Sequence, residues 1–275
     1  MRGSWLAIVG VGAMLAIASP CWAHQQIGLV LEQLDAEIVE HPNDAELYVQ
    51  RSDLYRLNRE WALAEADLET AVGLTPDDPD LQFYLGRLWF DAGHPARARS
   101  ALDRFIAVRP GHVPGLVIRG RALGALGDRL AAAADYDRVI ARLDPPEPEH
   151  YLQRARWLVA EGGVHVDAGL RGIDEAIARL GPLVILIEFA IDVETGRGRH
   201  AAALARFASL PEALAGCPDW LARRGDVLHA AGRVHEASTA YADALAAIEG
   251  LSVKRRTVKV TVALEARLRR LLAGN

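Results

Sequence analysis

The chain has 275 residues and a mass of 29.8 kDa, with 51% hydrophobic and 24% charged residues. This composition excludes wholesale disorder, and the formal net charge of −5 argues against a nucleic-acid-binding protein. Two cysteines are too few for a disulfide scaffold or a four-thiolate zinc site.

Residues 1–23 have the pattern of a secretory signal peptide. Arg2 gives a positive start, and the uncharged run Trp5–Ala18 is about 14 residues long, shorter than the roughly 20 that span a bilayer as a helix. Small residues at Cys21 and Ala23 suit a signal peptidase, so cleavage after Ala23 is predicted. The expected location is periplasmic or secreted, with no membrane span after cleavage. The alternative is an uncleaved membrane anchor.

Motifs for catalysis or metal binding are missing from the sequence. There is no phosphate-binding glycine loop, no Gly-x-Ser-x-Gly elbow and no His-x-x-x-His pair, so we predict no enzymatic activity, no cofactor and no metal. Cys217, the only cysteine left after cleavage, is interpreted as structural or incidental rather than nucleophilic. Cleavage would expose His24, which could chelate copper with a second histidine; this is the least favoured alternative.

From residue 48 onward, residues of similar size recur every 34 positions. Three columns show the period: Tyr48, Gln82 and Leu116; Ser52, Gly86 and Gly120; Ala64, Ala98 and Ala132; and Pro76 and Pro110 follow at its end. Each period predicts two antiparallel helices, because small residues let two backbones approach closely and proline ends a helix. One such pair cannot bury its apolar face alone, so the pairs are expected to stack.

The period continues with small slips through the second half of the chain. Glu161–His165 forms a longer turn in the fourth unit, while Ala190 and Gly225 begin the fifth and sixth. The fifth unit shows no clear turn glycine in register and starts with the apolar run Leu183–Ile187.

This pattern resembles the tetratricopeptide repeat family over roughly Gln25–Gly250. The resemblance implies an all-α fold, a right-handed α-solenoid of about six helix pairs. We expect residues 24–44 to form an N-terminal capping helix, 45–250 the solenoid and 251–275 a C-terminal capping helix. In the last of these, one continuous helix over Ser252–Leu272 is predicted, because six apolar or β-branched residues fall on one face: Val253, Thr257, Val260, Leu264, Leu268 and Leu271.

One set of arginines precedes the small residue of the first helix in each unit. The separation along the chain from Arg51 to Asp67 equals that from Arg119 to Asp135, whereas the unit that has Leu85 in this column has alanine at the partner position. The co-variation within one chain predicts structural ion pairs between the two helices of a unit. Arg154 and Arg224 have glycine and alanine at the partner position, so their role is not explained in this way.

A second set of arginines follows the small residue: Arg87, Arg121 and Arg156. In the family this column faces the concave groove, so the resemblance implies a row of guanidinium groups over an apolar floor of Phe83, Val117 and Leu152. Arginine binds carboxylates through paired hydrogen bonds, which favours an extended acidic peptide or a free C-terminus. The equally weighted alternative is a solvated face, since 29 of the 31 basic residues are arginine.

The resulting hypothesis is a cell-envelope scaffold or adaptor that binds a protein or peptide in the groove. The alternative function is a structural assembly subunit that contacts its partners through the convex face or the end caps.

Overall fold

The structure is a computed structural model that describes residues 20–273, with side chains described from Ile27. The predicted signal peptide lies outside the described residues except for its last four positions. Every regular element in residues 20–273 is helical, so the predicted all-α fold is confirmed. The chain divides into two compact units, one ending at Arg142 and the other beginning at Leu143.

The first unit contains one helix followed by three helix pairs. Its helices are α1 (Pro20–Glu40), α2 (Ala45–Leu57), α3 (Trp61–Leu74), α4 (Asp80–Asp91), α5 (Pro95–Val108), α6 (Val113–Ala125) and α7 (Arg129–Arg142). α1 packs on α2 and buries Ile27, Leu34 and Ile38 against Leu47 and Leu54.

The second unit contains three more pairs and a C-terminal extension. Its helices are α8 (Pro148–Glu161), α9 (His165–Leu180), α10 (Val184–Gly196), α11 (His200–Arg206), α12 (Glu212–Ala215), α13 (Pro218–Ala230), α14 (Val234–Glu249), α15 (Val253–Arg256) and α16 (Lys259–Ala273). A 3₁₀ turn at Phe207–Ser209 follows α11, so the second helix of the fifth pair is short.

Small residues set the spacing within each pair. Ala64, Ala98 and Ala132 are fully buried on second helices. Opposite them on the first helices, a Cβ added to Gly86 would lie 2.5 Å from Cγ of Leu102. The same construction at Gly225 would lie 2.5 Å from Cδ1 of the Tyr241 ring. The small columns of the sequence are therefore positions where a larger side chain has no room.

Each turn between paired helices contains a residue in the left-handed backbone region. Gly198 has φ 69° in the fifth pair and lies one repeat period before Gly232 in the sixth, so the apparent lack of a turn glycine there was wrong. Gly198 lies eight residues after Ala190, whereas Gly93 and Gly232 lie seven after Gly86 and Gly225, so it was out of register with the start assigned to the fifth unit. The first pair has Arg59 at this position with φ 61°, which is unusual for a residue other than glycine.

The C-terminal segment differs from its prediction as one continuous helix. Two helices, α15 and α16, are separated at Thr257 and Val258. The Thr257 hydroxyl donates a hydrogen bond to the Val253 carbonyl at 3.0 Å, and β-branched residues on either side disfavour a continuous helix. Only the later part packs: Leu268 is fully buried, whereas Val253 and Val260 are 80% and 69% exposed.

Candidate interaction surface

In the first unit, the first helices α2, α4 and α6 lie side by side and present Asp53, Arg87 and Arg121, each one repeat period after the last. Arg87 donates a hydrogen bond from Nη2 to Oδ1 of Asp53 at 2.6 Å. Asp53 also accepts from Nε of Arg56 at 2.8 Å, and Arg56 bonds to Asp91 on α4 at 2.5 Å. The four side chains form one ionic network between α2 and α4.

Arg87 is therefore held in this ionic network and is not a free cation. Its guanidinium lies 5.5 Å from the ring centroid of Phe83 and 5.4 Å from that of Tyr84. Burial lowers the pKa of Arg87, and the charge of Asp53 partly offsets that shift. Nε of Arg87 is buried without a hydrogen-bond partner among the described residues.

Arg121, in contrast, is exposed. Its guanidinium carbon lies 4.8 Å from the centroid of the Phe90 ring on α4, and it forms no ion pair with any described residue. A guanidinium placed over an aromatic ring is held in position while its N–H groups still point to solvent. Val117, one turn earlier on α6, is half-buried beside this site.

The other predicted groove residues are engaged elsewhere. Phe83 packs against Phe105 and His112, with ring centroids 5.3 and 4.7 Å away. In the second unit, Arg156 is exposed and bonds to Glu149 at 2.8 Å. Leu152 is only 1% exposed, so its prediction as part of an accessible floor was wrong: it faces the core between the helices.

The arginines that precede the small column pair as the sequence spacing indicated. Arg51 binds Asp67 through two hydrogen bonds of 2.8 and 2.6 Å, and Arg119 binds Asp135 through two of 2.8 and 2.5 Å. Both aspartates are buried. The hydrogen bond from each arginine to its aspartate raises the pKa of that guanidinium.

A third partner in each of these clusters was missed from the sequence. Arg51 also donates to Asp35 on α1 at 2.6 Å, and Arg119 to Asp103 on α5 at 3.0 Å. Each of these aspartates precedes its arginine by the same separation at which the buried aspartate follows it. This equal spacing on either side of each arginine is the sequence signal that could have identified the third partners. Each arginine thus links the two helices of its own pair to the helix before them.

Arg154 has a different arrangement that explains the glycine at its partner position. A Cβ added to Gly172 would lie 2.5 Å from Nη1 of Arg154, so the guanidinium occupies the space above that glycine. Arg224 is exposed on α13.

In the last pair, Asp226 accepts a hydrogen bond from the Tyr241 hydroxyl at 3.0 Å and also binds Arg267 on α16. Burial, together with the hydrogen bond to Asp226, raises the pKa of Tyr241 to about 12. The carboxylate therefore connects the C-terminal helix to the last pair.

In the side chains described, no group of three or more His, Cys, Asp and Glu residues could hold a metal ion. His24 lies outside them. Cys217 is half-buried, and its thiol donates weakly to the Ala213 carbonyl at 3.6 Å. No helix between residues 20 and 273 has the length and apolar character required to cross a membrane.

Comparison with known proteins finds helix pairs of this kind in one family model and in solved structures. The family model of the tetratricopeptide repeat matches residues 48–113 and 90–148. A solved structure of the C-terminal part of a TPR repeat-containing protein from Cytophaga hutchinsonii aligns with a TM-score of 0.66 at 13% identity, over 88% of this chain and 95% of that one. A tetratricopeptide repeat protein from Parabacteroides merdae aligns with a TM-score of 0.54 at 17% identity, over 90% and 93%. At these identities the likeness concerns the fold.

A curated relative is similar to this chain over a shorter segment. The FK506-binding protein-like protein of Mus musculus is 45% identical over 82 residues, which is 30% of this chain. The match spans only 23% of the mouse protein's length.

Proposed function

We propose that this chain, whose residues 48–148 match the family model of the tetratricopeptide repeat, is a protein-interaction scaffold that binds an extended peptide along the first helices of its first unit. Within the first unit, α2, α4 and α6 lie side by side, which gives a surface with repeated positions for side-chain contacts. No step of this function requires catalysis.

The observation that carries the proposal is the exposed guanidinium of Arg121 over Phe90. Because it has no described ionic partner, a carboxylate that binds to it replaces water rather than another side chain. Arginine can accept a carboxylate through two parallel hydrogen bonds while it remains stacked. The ligand we propose is an acidic side chain or the C-terminal carboxylate of a peptide, with Val117 in contact with its apolar part. Arg87 contributes less, because Asp53 already neutralises it.

We also propose that the scaffold acts in the periplasm or outside the cell. The support is the pattern of residues 1–23: a positive start, a short apolar run and small residues before the expected cleavage site.

The binding site is tested with a defined acidic probe. Fluorescence anisotropy of labelled octaglutamate should show binding that weakens with rising salt, because the contacts are exposed to screening. Arg121→Gln should weaken binding at least tenfold, about 1.4 kcal/mol. Arg104→Gln, which removes an equally exposed arginine from the second helix α5, should not change the affinity.

A further variant separates this site from the basic C-terminal segment. If Lys254→Gln/Lys259→Gln abolishes octaglutamate binding while Arg121→Gln leaves it intact, Arg121 is not the carboxylate site and the proposal is wrong. Natural ligands would then be sought by capture from an envelope fraction, with wild type and Arg121→Glu as paired baits and mass spectrometry as the readout.

A further inference from the structure

The C-terminal segment carries an exposed apolar surface, which we call the valine face. It consists of Val258 and Val262, which are one helical turn apart, together with Val253 on the preceding helix; they are 51, 50 and 80% exposed. These residues lie on α15, in the turn after it and on the first turn of α16. Exposed valines grouped in one segment are available for contact with a partner.

Basic side chains predominate in the segment that carries the valine face, although Arg267 is paired with Asp226 of α13. Residues 251–275 contain seven basic side chains and one acidic side chain, a formal net charge of +6. The single acid, Glu265, is already bonded to Arg256 at 2.9 Å and to Arg269 at 2.5 Å. Lys254 and Lys259, the only two lysines of the chain, are exposed and have no carboxylate partner among the described residues.

The first unit has a cavity of the opposite charge, which we call the acidic groove. It has a volume of about 850 Å³ and lies between the loop before α2 and the first turns of α2 and α4. Five carboxylates line it: Glu40, Asp44, Glu46, Asp78 and Asp80. Its accessible apolar surface is formed by Val49 and Tyr84, which are half-buried, whereas Leu81 in its lining is only 2% exposed.

The segment that contributes most of the acidic groove also has a large excess of acidic side chains, although Asp80 is already bonded to Arg109. Residues 27–80 contain 14 acidic and three basic side chains, a formal net charge of −11. Apart from these two segments, the described chain is almost neutral, with 21 acidic and 20 basic side chains in residues 81–250. The chain therefore has two oppositely charged segments, and each combines its charge with accessible apolar residues.

We propose that the valine face of one copy docks into the acidic groove of a second copy. The valines would meet Val49 and Tyr84, while Lys254 and Lys259 would face the surrounding carboxylates. A second copy satisfies both surfaces at once. An anionic membrane would match only the valine face and would repel the segment of charge −11. Electrostatic complementarity of this kind fixes orientation and accelerates encounter.

The two surfaces differ, so the contact is heterologous. Each docked pair leaves one groove and one valine face free, and addition of further copies produces an open chain unless the rotation between copies closes a ring. Association should rise with protein concentration and fall as salt screens the charges.

Sedimentation velocity of the protein purified after export tests the proposal. At about 20 mM salt the weight-average mass should increase with concentration, and at about 500 mM salt it should return toward that of a single copy, because the Debye length falls well below the span of the contact. A mass equal to one copy at every concentration and at low salt would overturn the proposal.

A groove variant removes charge without loss of helix capping. Glu40→Gln/Asp44→Asn/Asp78→Asn eliminates three carboxylates, and both new asparagines can still accept the backbone N–H groups of Glu46 and Asp80 that the aspartates cap. This variant should be monomeric at low salt, with an unchanged melting temperature. Association at the wild-type level would overturn the proposal.

A face variant and a matched control complete the set. Lys254→Gln/Arg255→Gln/Lys259→Gln should also be monomeric. The control removes the same charge from exposed positions elsewhere and should associate like wild type: Arg104→Gln/Arg171→Gln/Arg224→Gln. Loss of association in the control as well would mean that overall charge, rather than the valine face, drives the process.

Mixing the two monomeric variants is the decisive measurement. The groove variant retains its valine face and the face variant retains its groove, so an equimolar mixture should form a one-to-one dimer that does not extend. A mixture that stays monomeric refutes docking between copies. If wild type remains monomeric but sediments with phosphatidylglycerol vesicles through Lys254 and Lys259, the valine face binds anionic lipid and the proposal is wrong.

Discussion

At the scale of single residues, the packing of each pair depends on where a Cβ atom is absent. Gly225 faces the Tyr241 ring so closely that an added Cβ would lie 2.5 Å from its Cδ1. Tyr241 cannot move away freely, because it is 2% exposed and its hydroxyl is bonded to Asp226. Glycine is required at this position for steric reasons rather than for backbone freedom.

Gly225→Ala should therefore lower the free energy of unfolding by about 1–3 kcal/mol, the usual cost of overpacking. Gly73→Ala is the matched control, since nothing lies within 4 Å of its added Cβ on α3. Alanine there should be neutral or should stabilise by up to about 1 kcal/mol through helix propensity. Urea unfolding followed by circular dichroism measures both. Equal effects of the two substitutions would contradict the steric account.

His112 shows how one residue connects a helix start to aromatic packing. Its Nδ1 accepts the backbone N–H of Gly115 at 3.1 Å, and its ring lies between Phe83 and Phe105. Burial lowers the pKa of His112; Asp80 opposes that shift and Arg109 adds to it. The neutral ring is thus the form that the fold stabilises, because protonated Nδ1 cannot accept the hydrogen bond.

The sign of the pH dependence follows from that lowered pKa. The unfolded chain binds the proton more tightly, so the contribution of neutral His112 is complete above about pH 6.5 and is lost as the pH falls below that value. His112→Asn retains a capping oxygen and does not titrate. On acidification, the unfolding free energy of wild type should therefore fall by more than that of His112→Asn. A difference that is constant between pH 7 and about pH 5 would contradict this role.

At the scale of elements, ion pairs connect consecutive helices. Arg51 joins α1, α2 and α3 through Asp35 and Asp67, and Arg119 joins α5, α6 and α7 in the same way. Asp67 is almost fully buried, whereas Asp35 is more than half exposed. The pair with Asp67 is therefore the one whose loss matters for stability.

Asp67→Ala should cost about 1–3 kcal/mol of unfolding free energy, because it leaves a half-buried guanidinium with one exposed partner. Combination with Arg51→Leu reproduces the second pair, where Leu85 faces Ala101, and should recover much of the loss. Equilibrium urea unfolding of the single and double variants measures the difference. A double variant less stable than Asp67→Ala alone would show that the pairing is not what links these positions.

The elements also show where sequence reasoning succeeds. The six pairs follow from a regular repeat period, since steric needs at the small columns are repeated in every pair and are visible as residue size. The break at Thr257 was not predictable from the apolar face alone, because the spacing of Val253, Val260 and Leu264 fits one helix equally well. The spacing identifies an apolar face. It does not show whether another helix packs against that face.

The candidate interaction surface was predictable only in part, for a similar reason. The repeated column of Arg87 and Arg121 is visible in the sequence. The neutralisation of Arg87 depends on Asp53 in the preceding pair and on Arg56, which shares the same carboxylate. Arg121 has no acid in the corresponding column, since Arg87 occupies it. Repetition identifies equivalent positions but does not give equivalent environments.

At the scale of the whole molecule, export is the property that the sequence predicts most directly. Expression in a Gram-negative host should yield a periplasmic protein that begins at His24, because signal peptidase would cleave after Ala23. Intact-mass spectrometry should show loss of residues 1–23. A mass that retains Trp5–Ala18, with the protein in the membrane fraction, would indicate an anchor.

The contacts of Arg51 and Arg119 have a consequence for how this chain can change length. Glu69 on α3 lies one repeat period after Asp35 and one before Asp103, so an acid occupies this position throughout the first unit. Excision of one whole repeat, from position 76 to position 109, would bring Glu69 to the separation from Arg119 that Asp103 now has, and would supply the lost carboxylate. An unequal crossover between neighbouring repeats would leave the bond to the preceding helix intact. Because of this acidic column, the number of repeats can change during evolution without loss of the arginine's bond to the preceding helix.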